Sequence, residues 1–228
     1  MRISIVIPAL NEADSIVDCL QPLQPARQTG HEVLLVDGGS TDDTREMAAP
    51  LVDRVLEGPR GRAVQMNHGA RASSGDVLWF LHADTRVPED AVEAIMEVFR
   101  GGRRAWGRFD VSLDAPGTAF RIIAWSMNWR SRLTGIATGD QGLFVSRRLF
   151  DSVGGFPELP LMEDIAMAQA LRAKALPVCL RQRLITSARR WQDHGTWRTV
   201  LLMWRLRMAF FLGEDPAELH RRYYGQRH

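Results

Sequence analysis

The stretch that decides the fold is "DVLWFLHADT", residues 76–85, where a run of large apolar side chains ends at a histidine, an alanine and an aspartate. Consecutive apolar residues predict a strand that is buried on both faces, as in a parallel sheet with helices on each side. In open sheets of this kind, ligands bind beyond the carboxyl ends of the strands. We therefore expect Asp84 at a ligand-binding edge of the sheet.

Strand and helix patterns alternate around this stretch and predict an α/β fold, a doubly wound, mostly parallel sheet with flanking helices. The predicted strands cover residues 3–7, 32–36, 53–58 and 76–81. The predicted helices cover residues 12–23, 40–51, 61–73 and 87–100.

The order of elements changes beyond residue 101. Two strands, at 107–113 and 142–150, are predicted to flank a helix at 118–132 and to extend the sheet with mixed direction. Helices at 163–175 and 196–212 follow, so we expect a helical C-terminus.

Composition bounds the class of protein. A chain of 228 residues that is 45% hydrophobic suits one globular domain with a substantial core. Its 29 Lys and Arg residues against 27 Asp and Glu residues leave a net charge of only +2, which argues against nucleic acid as a partner. Cys19 and Cys179 form no closely spaced pair, and the first residues read as a strand rather than a secretion signal, so we expect a cytoplasmic setting.

Three predicted strand ends carry acids: Glu12, Asp37 and Asp84. Taken singly, Asp37 could merely start the turn at Gly38 and Gly39, and Asp84 could cap a turn before Pro88. Turn chemistry does not require an acid at every strand end, so the three together indicate a site for a metal or a ribose. No G-x-G-x-x-G follows the first strand and no G-K-[ST] occurs, which favours phosphate binding through a metal and arginines.

Five segments occur in a specific order: "SIVIPALNEADSI", "EVLLVDGGSTDDT", "GRAVQMNHGA", "GDVLWFLHADT" and "LMEDIAMAQAL". Together they resemble the nucleotide-sugar glycosyltransferases of family two, which have the GT-A fold, and within them the small bacterial subgroup of radical-SAM/selenodomain-associated transferases. The resemblance implies an inverting glycosyltransferase that uses a nucleoside-diphosphate sugar, first of all a UDP-sugar, with Mn²⁺ or Mg²⁺. It also implies a single domain over 1–228, with a nucleotide-binding half (1–100), an acceptor half (101–195) and a C-terminal helical segment (196–228).

The resemblance assigns roles to particular residues. The nucleotide contacts would be Pro8, Ala9, Asn11, Glu12, Asp37, Ser40, Arg62 and Asn67. The family's D-x-D metal motif becomes His82-Ala83-Asp84, in which Asp84 matches the metal ligand. His82 would contact ribose or diphosphate, or be structural.

On the acceptor side, Asp164 matches the family's general base and Glu163 would orient the site, although acids are also favoured at a helix start by the helix dipole. The loop with Gly139, Asp140 and Gln141 would lie near the donor sugar and the acceptor. The remaining assignments are Arg190 to the diphosphate, Trp191 to a sugar and His194 to the metal or to solvent. Ser187 replaces the glutamine of the Q-x-x-R-W signature, which argues against a polymer-making role.

The last predicted helix has one apolar face. Trp197, Leu201, Trp204 and Met208 recur at helical spacing, Val200, Phe211 and Leu212 broaden that face, and Arg198 and Arg205 line up beside it. The helix carries too many arginines for a membrane span of roughly 20 apolar residues. We expect a docking element that contacts the inner face of the membrane or a second copy, with an ordinary core-packing helix as the alternative.

Two classes of function remain open. The first is a glycosyltransferase, and the second is a catalytically degenerate nucleotide-sugar binding protein, because His82 replaces the first acid of the metal motif. A nucleotidyltransferase would need a glycine- and arginine-rich loop after the first strand, which "PALNEADS" is not.

Overall fold

Runs of consecutive apolar residues form the central strands of one sheet. The structure, a computed structural model, describes residues 1–100 and 105–225, without the side chains of Arg190 and His194. The strands in this part of the chain are β1 (Ile3–Ala9), β2 (Glu32–Asp37), β3 (Arg54–Glu57), β4 (Val77–Phe80), β5 (Thr85–Arg86), β6 (Trp106–Leu113), β7 (Phe144–Ser146) and β8 (Val178–Thr186). The helices there are α1 (Ala13–Leu20), α2 (Gln24–Gln28), α3 (Thr44–Ala48), α4 (Arg62–Ala72), α5 (Ala91–Phe99), α6 (Thr118–Thr134), α7 (Arg147–Ser152), α8 (Glu163–Arg172), α9 (Arg189–His194), α10 (Thr196–Phe211) and α11 (Pro216–Tyr224).

The sheet has the strand order β3-β2-β1-β4-β7-β6-β8-β5. Strands β3, β2, β1 and β4 are parallel, whereas β7 runs antiparallel to β4 and β6, and β5 runs antiparallel to β8. The prediction of a mostly parallel sheet with a mixed extension is confirmed. Ala9 pairs with Asp37 in register, so the chain leaves β1 and β2 at the same edge of the sheet.

Alternate residues of the central strands enter two hydrophobic cores on opposite faces of the sheet. Ile5 and Trp79 belong to the core covered by α1, α5 and α6. Val6 and Phe80 belong to the core covered by α4, α8, α10 and α11. Burial on both faces explains why these strands are apolar at successive positions.

Two predictions about the second half are wrong. The stretch 142–150 is not one strand, because β7 ends at Ser146 and α7 begins at Arg147. The guanidinium of Arg147 donates to the carbonyl oxygens of Ala70, Ser73 and Gly75, which ends the strand there.

The second error is an omission, since no strand was predicted at 178–186. Arg181, Gln182 and Arg183 interrupt the apolar residues of β8, so the segment lacks the apolar run that marks the central strands. It is a strand because it pairs with β6 on one side and β5 on the other. Helix α11 falls within the predicted C-terminal helical segment, and the side chain of Asp215, which precedes it, accepts from Ala217 N at 2.9 Å.

Polar contacts fix α6 against β6. The Asn128 amide donates to Val111 O at 3.0 Å and accepts from Val111 N at 2.9 Å. Arg108, which is fully buried, pairs with Asp110, and Arg132 Nη2 binds the same carboxylate at 2.8 Å. Across residues 1–100 and 105–225, no helix has the length and apolar character needed to cross a membrane.

Candidate active site

The turns after β1 and β2 are tied to each other by side chains. Asp37 accepts hydrogen bonds from Gly39 N and Ser40 N, each at 3.0 Å, and from the Ser40 hydroxyl. Ser40 Oγ accepts from Asn11 N at 2.9 Å, and Asn11 Oδ1 accepts from Thr41 N at 2.8 Å. The structure thus brings together five of the residues predicted to bind nucleotide: Pro8, Ala9, Asn11, Asp37 and Ser40. Within this group, Asp37 and Ser40 shape the turn itself.

Glu12 lies at the same edge and pairs with an arginine that the sequence reasoning missed. Arg189 Nη2 lies 3.0 Å from Glu12 Oε2, and Ser15 Oγ donates to the same oxygen at 2.8 Å. The hydrogen bond and charge of Glu12, with a contribution from Asp84, raise the pKa of Arg189. The sequence signature pointed to the neighbouring Arg190, and Arg189 was not predicted as a site residue.

Asp84 follows β4 and is half-buried. Burial raises the pKa of Asp84, and the charges of Asp140 and Glu12 raise it further against the opposing charges of His82 and Arg62. Asp84 therefore lies where acids converge and where a bound cation would be stabilised.

His82 contacts an acid from the other half of the chain. His82 Nδ1 lies 3.3 Å from Asp140 Oδ1. Burial and Arg62 would lower the pKa of His82, but the hydrogen bond and charge of Asp140, helped by Asp84, raise it. Burial would raise the pKa of Asp140, whereas His82 and then Arg62 and Arg207 lower it. The two side chains thus stabilise each other's charged forms.

The loop that carries Asp140 is fixed by local contacts. Thr138 N donates to Gln141 Oε1 at 3.2 Å, and Gln141 N donates to Thr138 O at 2.9 Å. Gln141 is fully buried, so its amide shapes the loop. Gly139 packs on His82, since a Cβ at Gly139 would lie 2.3 Å from His82 Nε2.

Glu163 and Asp164 begin α8 and face the same loop. Gly139 N donates to Asp164 Oδ2 at 2.8 Å. Burial raises the pKa of Glu163 and the charge of Asp164 adds to it, against Arg62. Arg62 is exposed. Desolvation lowers its pKa, but the combined charges of Glu163, Tyr224, Tyr223 and Asp140 outweigh this effect, so the pKa of Arg62 is raised.

A small cavity lies between these groups. Its lining residues are Met66, Phe80, His82, Ala137, Thr138, Gly139, Leu143, Phe156, Glu163 and Asp164. The end of β4 and the start of α8 therefore face one space, although they are about 80 residues apart in sequence.

Two further predicted site residues have structural contacts of their own. The amide of Asn67 donates to Phe156 O at 2.8 Å and accepts from Phe156 N at 2.9 Å, so it holds the loop before α8. Trp191 is partly buried against the first core. The side chains of Arg190 and His194 lie outside the described part of the structure, and their predicted contacts stay predictions.

Comparison with solved structures gives the class of fold. The mannosyltransferase PcManGT from Pyrobaculum calidifontis, in complex with GDP-Man and Mn²⁺, aligns with a TM-score of 0.66 at 21% identity over 91% of this chain and 61% of that chain. S. aureus TarS 1-349, in complex with UDP-GlcNAc, aligns with a TM-score of 0.64 at 17% identity over 82% of this chain and 58% of that chain. The predicted GT-A fold is confirmed.

The sequence comparison gives the family. The family model "Glycosyl transferase family 2" matches residues 4–150, and the chain belongs to this family. Undecaprenyl-phosphate 4-deoxy-4-formamido-L-arabinose transferase of Klebsiella pneumoniae (strain 342) is 29% identical over 201 residues, covering 80% of this chain. The chain spans 60% of the length of that relative.

Proposed function

We propose that the protein transfers a sugar from a nucleoside-diphosphate sugar to an acceptor hydroxyl, with inversion, in a single displacement. The observation that carries the proposal is the loop at 138–141, which contacts both sides of the site. Asp140 pairs with His82 at the end of β4, and Gly139 N binds Asp164 at the start of α8. One loop therefore holds the candidate base beside the edge where the donor would bind.

The donor is proposed to bind at the turns after β1, β2 and β4. TarS and PcManGT have the same fold and were crystallised with UDP-GlcNAc and GDP-Man, which supports a nucleotide-sugar donor here. Arg189, beside Glu12 and Asp84, is the cation that would meet the leaving diphosphate. A UDP-sugar is the first donor to test.

Asp164 is proposed as the general base. It would take the proton of the acceptor hydroxyl while that oxygen bonds to the anomeric carbon and the bond from this carbon to the diphosphate oxygen breaks. The hydrogen bond from Gly139 N orients one carboxylate oxygen of Asp164. Glu163, which is buried and close to Arg62, would position the site without taking the proton.

A divalent cation, Mn²⁺ or Mg²⁺, fits the surroundings of Asp84. Burial is the main reason that the pKa of Asp84 is raised, and the charges of Asp140 and Glu12, from two other segments, add to it. Among the described residues no group of three or more His, Cys, Asp or Glu could hold a metal by itself, so Asp84 would share the ion with diphosphate oxygens. Such a cation, when bound, offsets the charge of the departing diphosphate. PcManGT was crystallised with Mn²⁺.

A catalytically degenerate nucleotide-sugar binding protein is the alternative function. It is favoured by His82 at the position of the first acid of the metal motif. The contact between His82 and Asp140 supports an enzyme instead, because Asp140 brings a carboxylate to the place where the tripeptide lacks one.

We also propose that the protein works in the cytoplasm, at an anionic membrane surface. On α10, Trp197 and Trp204 are 67% and 61% exposed, and on α6 Trp125 is 62% exposed. Further exposed apolar residues on the two helices are Ile122, Trp129, Leu133, Leu201, Met208 and Phe211. Arg121 on α6 and Arg198 and Arg205 on α10 are exposed, and neither helix carries an Asp or Glu, a combination that suits anionic lipid headgroups.

Binding and turnover of nucleotide sugars test the enzymatic proposal. Thermal shifts with UDP, GDP, dTDP and CMP, each with and without Mn²⁺, identify the nucleotide, because a ligand of the folded form raises its stability. Release of the matching nucleoside diphosphate from its sugar then distinguishes the two functions. Binding without release across a broad acceptor panel would favour the binding protein.

Sedimentation with vesicles tests the membrane proposal. We expect the protein to pellet with vesicles that contain phosphatidylglycerol and to stay in solution with phosphatidylcholine vesicles. A sizing experiment without vesicles reports on a second copy instead. A dimer that ignores vesicles would assign the exposed face of α10 to self-association.

A further inference from the structure

Two arginines on the acceptor side have buried hydrogen-bond donors without a partner. Within the described part of the chain, these donors are Nε and Nη2 of Arg130, on α6, and Nε of Arg207, on α10. Arg130 Nη1 donates to Ile136 O at 3.2 Å, which anchors that guanidinium. A buried charged donor without an acceptor destabilises a protein, so a missing acceptor is indicated.

Arg130 lies within range of the charges of Arg207 and Asp164. Burial and the charge of Arg207 lower the pKa of Arg130 to about 10, and Asp164 and Asp140 offset this only in part. Both acids have other partners, since Asp164 accepts from Gly139 N and Ile165 N, and Asp140 pairs with His82. The helices α6 and α10 themselves contain no Asp or Glu. Positive charge is therefore left in excess beside the candidate base.

We infer that Arg130 and Arg207 bind a phosphate ester carried by the acceptor, an inference that rests on the proposed transfer at Asp164. A phosphate monoester has three terminal oxygens and close to two negative charges, which match three unpartnered N–H donors on two guanidinium groups. A carboxylate offers only two oxygens. Bound there, the phosphate would hold a hydroxyl of the same acceptor near Asp164.

The diphosphate of the donor is the competing occupant of these arginines. It is proposed to lie at the turns after β1, β2 and β4, where Arg189 is the nearby cation. The phosphate esters are therefore titrated into protein that is already saturated with UDP.

The experiment is calorimetry on the full chain with two probes that share a headgroup. Glycerol 1-phosphate is soluble, and 1-acyl-glycerol 3-phosphate in detergent micelles is a lipid. The variants are Arg207→Gln, Arg207→Lys and Arg130→Lys, and Arg148→Gln is the control, since it removes an exposed arginine on α7. We expect Arg207→Gln to weaken binding by roughly 10- to 100-fold, the loss typical of a charge-assisted hydrogen bond, and Arg148→Gln to leave it unchanged.

Two variants keep the charge but lose donors. Arg130→Lys and Arg207→Lys should each weaken the binding by a smaller factor than Arg207→Gln, because a lysine cannot present the guanidinium donors. If Arg207→Gln does not fold, the two lysine variants replace it in the calorimetry. A second measurement is the rise in Tm that glycerol 1-phosphate causes, which should be smaller in Arg130→Lys than in wild type.

The outcomes separate this inference from the proposed function. Equal affinities in Arg207→Gln and Arg148→Gln, no binding of either probe to UDP-saturated protein, or displacement of the probe by UDP would each overturn the phosphate subsite. The proposed function then still stands on UDP binding. Protein that binds the probe through Arg207 but does not bind any nucleoside diphosphate would keep the subsite and overturn the proposed function. Tighter binding of the acylated probe assigns a lipid source, and equal binding assigns a soluble phosphate ester.

Discussion

The two sides of the site differ in how their charges are balanced. At the donor edge, formed by the turns after β1, β2 and β4, Asp37 is bound by its own turn and Glu12 pairs with Arg189. On the acceptor side, formed by α6, α8 and α10 around Asp164, Arg130 and Arg207 keep unpartnered donors within the described chain. These two donor-edge carboxylates have partners within the protein, whereas the acceptor side is where we propose that an external anion binds.

This difference indicates which part of the site is expected to be particular to this chain. The contacts of Asp37 span two or three residues, so a short motif encodes them, whereas Glu12 and Arg189 at the same edge are far apart in sequence. The acceptor side joins helices that are distant in sequence, so its charges are set by packing. We expect the donor edge to resemble that of relatives and the acceptor side to be particular to this chain.

The largest expected effect is on the acceptor side, at Asp164. Replacing Asp164 by Asn should lower turnover by roughly 10² to 10⁴, because a positioned general base is removed, and should leave nucleotide binding nearly unchanged. Steady-state release of nucleoside diphosphate measures the first quantity and calorimetry the second. Asp151→Asn, an exposed acid on α7, is the control and should behave as wild type. Wild-type turnover in Asp164→Asn would place the base elsewhere, with Asp140 the next candidate.

The matching change at the donor edge is Asp84→Ala. It should weaken Mn²⁺-dependent binding of the nucleoside diphosphate by at least about 100-fold, beyond the 10–100-fold typical of groups that only support a metal ligand. Circular dichroism should show an intact fold, because Asp84 is not part of either core. The exposed Glu89→Ala serves as the control. An Mn²⁺-dependent affinity that survives in Asp84→Ala would remove the metal assignment.

The loop that joins the two sides gives a smaller effect. Gly139→Ala should destabilise the protein by roughly 1–3 kcal/mol, the usual cost of overpacking, because the new Cβ would lie 2.3 Å from His82 Nε2. Denaturant unfolding measures the free energy of unfolding. Adding His82→Ala should recover part of the loss, since it removes the atom that clashes. Equal losses with and without His82→Ala would show that the two sites are independent.

The smallest expected effect is a pH dependence from the His82–Asp140 pair. The pKa of His82 is raised in the folded state, so its contribution to stability is fully present below about 6.5, the ordinary histidine value, and is lost as the pH rises through the raised value. The pKa of Asp140 is lowered, so its contribution is lost only as the pH falls through that lowered value. Unfolding free energies between about pH 5.5 and 8.5 should therefore decline less in His82→Gln than in wild type. Parallel profiles for the two proteins would contradict the ion pair.

The sequence by itself determined the sheet and its ligand-binding edge. Apolar runs such as 77–80 can only be buried on both faces, and parallel strands then leave the sheet at one edge, so Glu12, Asp37 and Asp84 converge without further information. The helices α5 and α6 followed from local periodicity in the same way.

Tertiary structure decided the contacts that link distant segments. Strand β8 forms because β6 and β5 pair with it. Helix α7 begins at Arg147, whose guanidinium donates hydrogen bonds to three carbonyl oxygens. The pairing of His82 with Asp140, and of Glu12 with Arg189, likewise depends on which side chains packing brings within about 3 Å. Periodicity reports burial along one segment, but the partner of a charge is decided by the fold, and this is why Arg189, Arg130 and Arg207 emerged only from the structure.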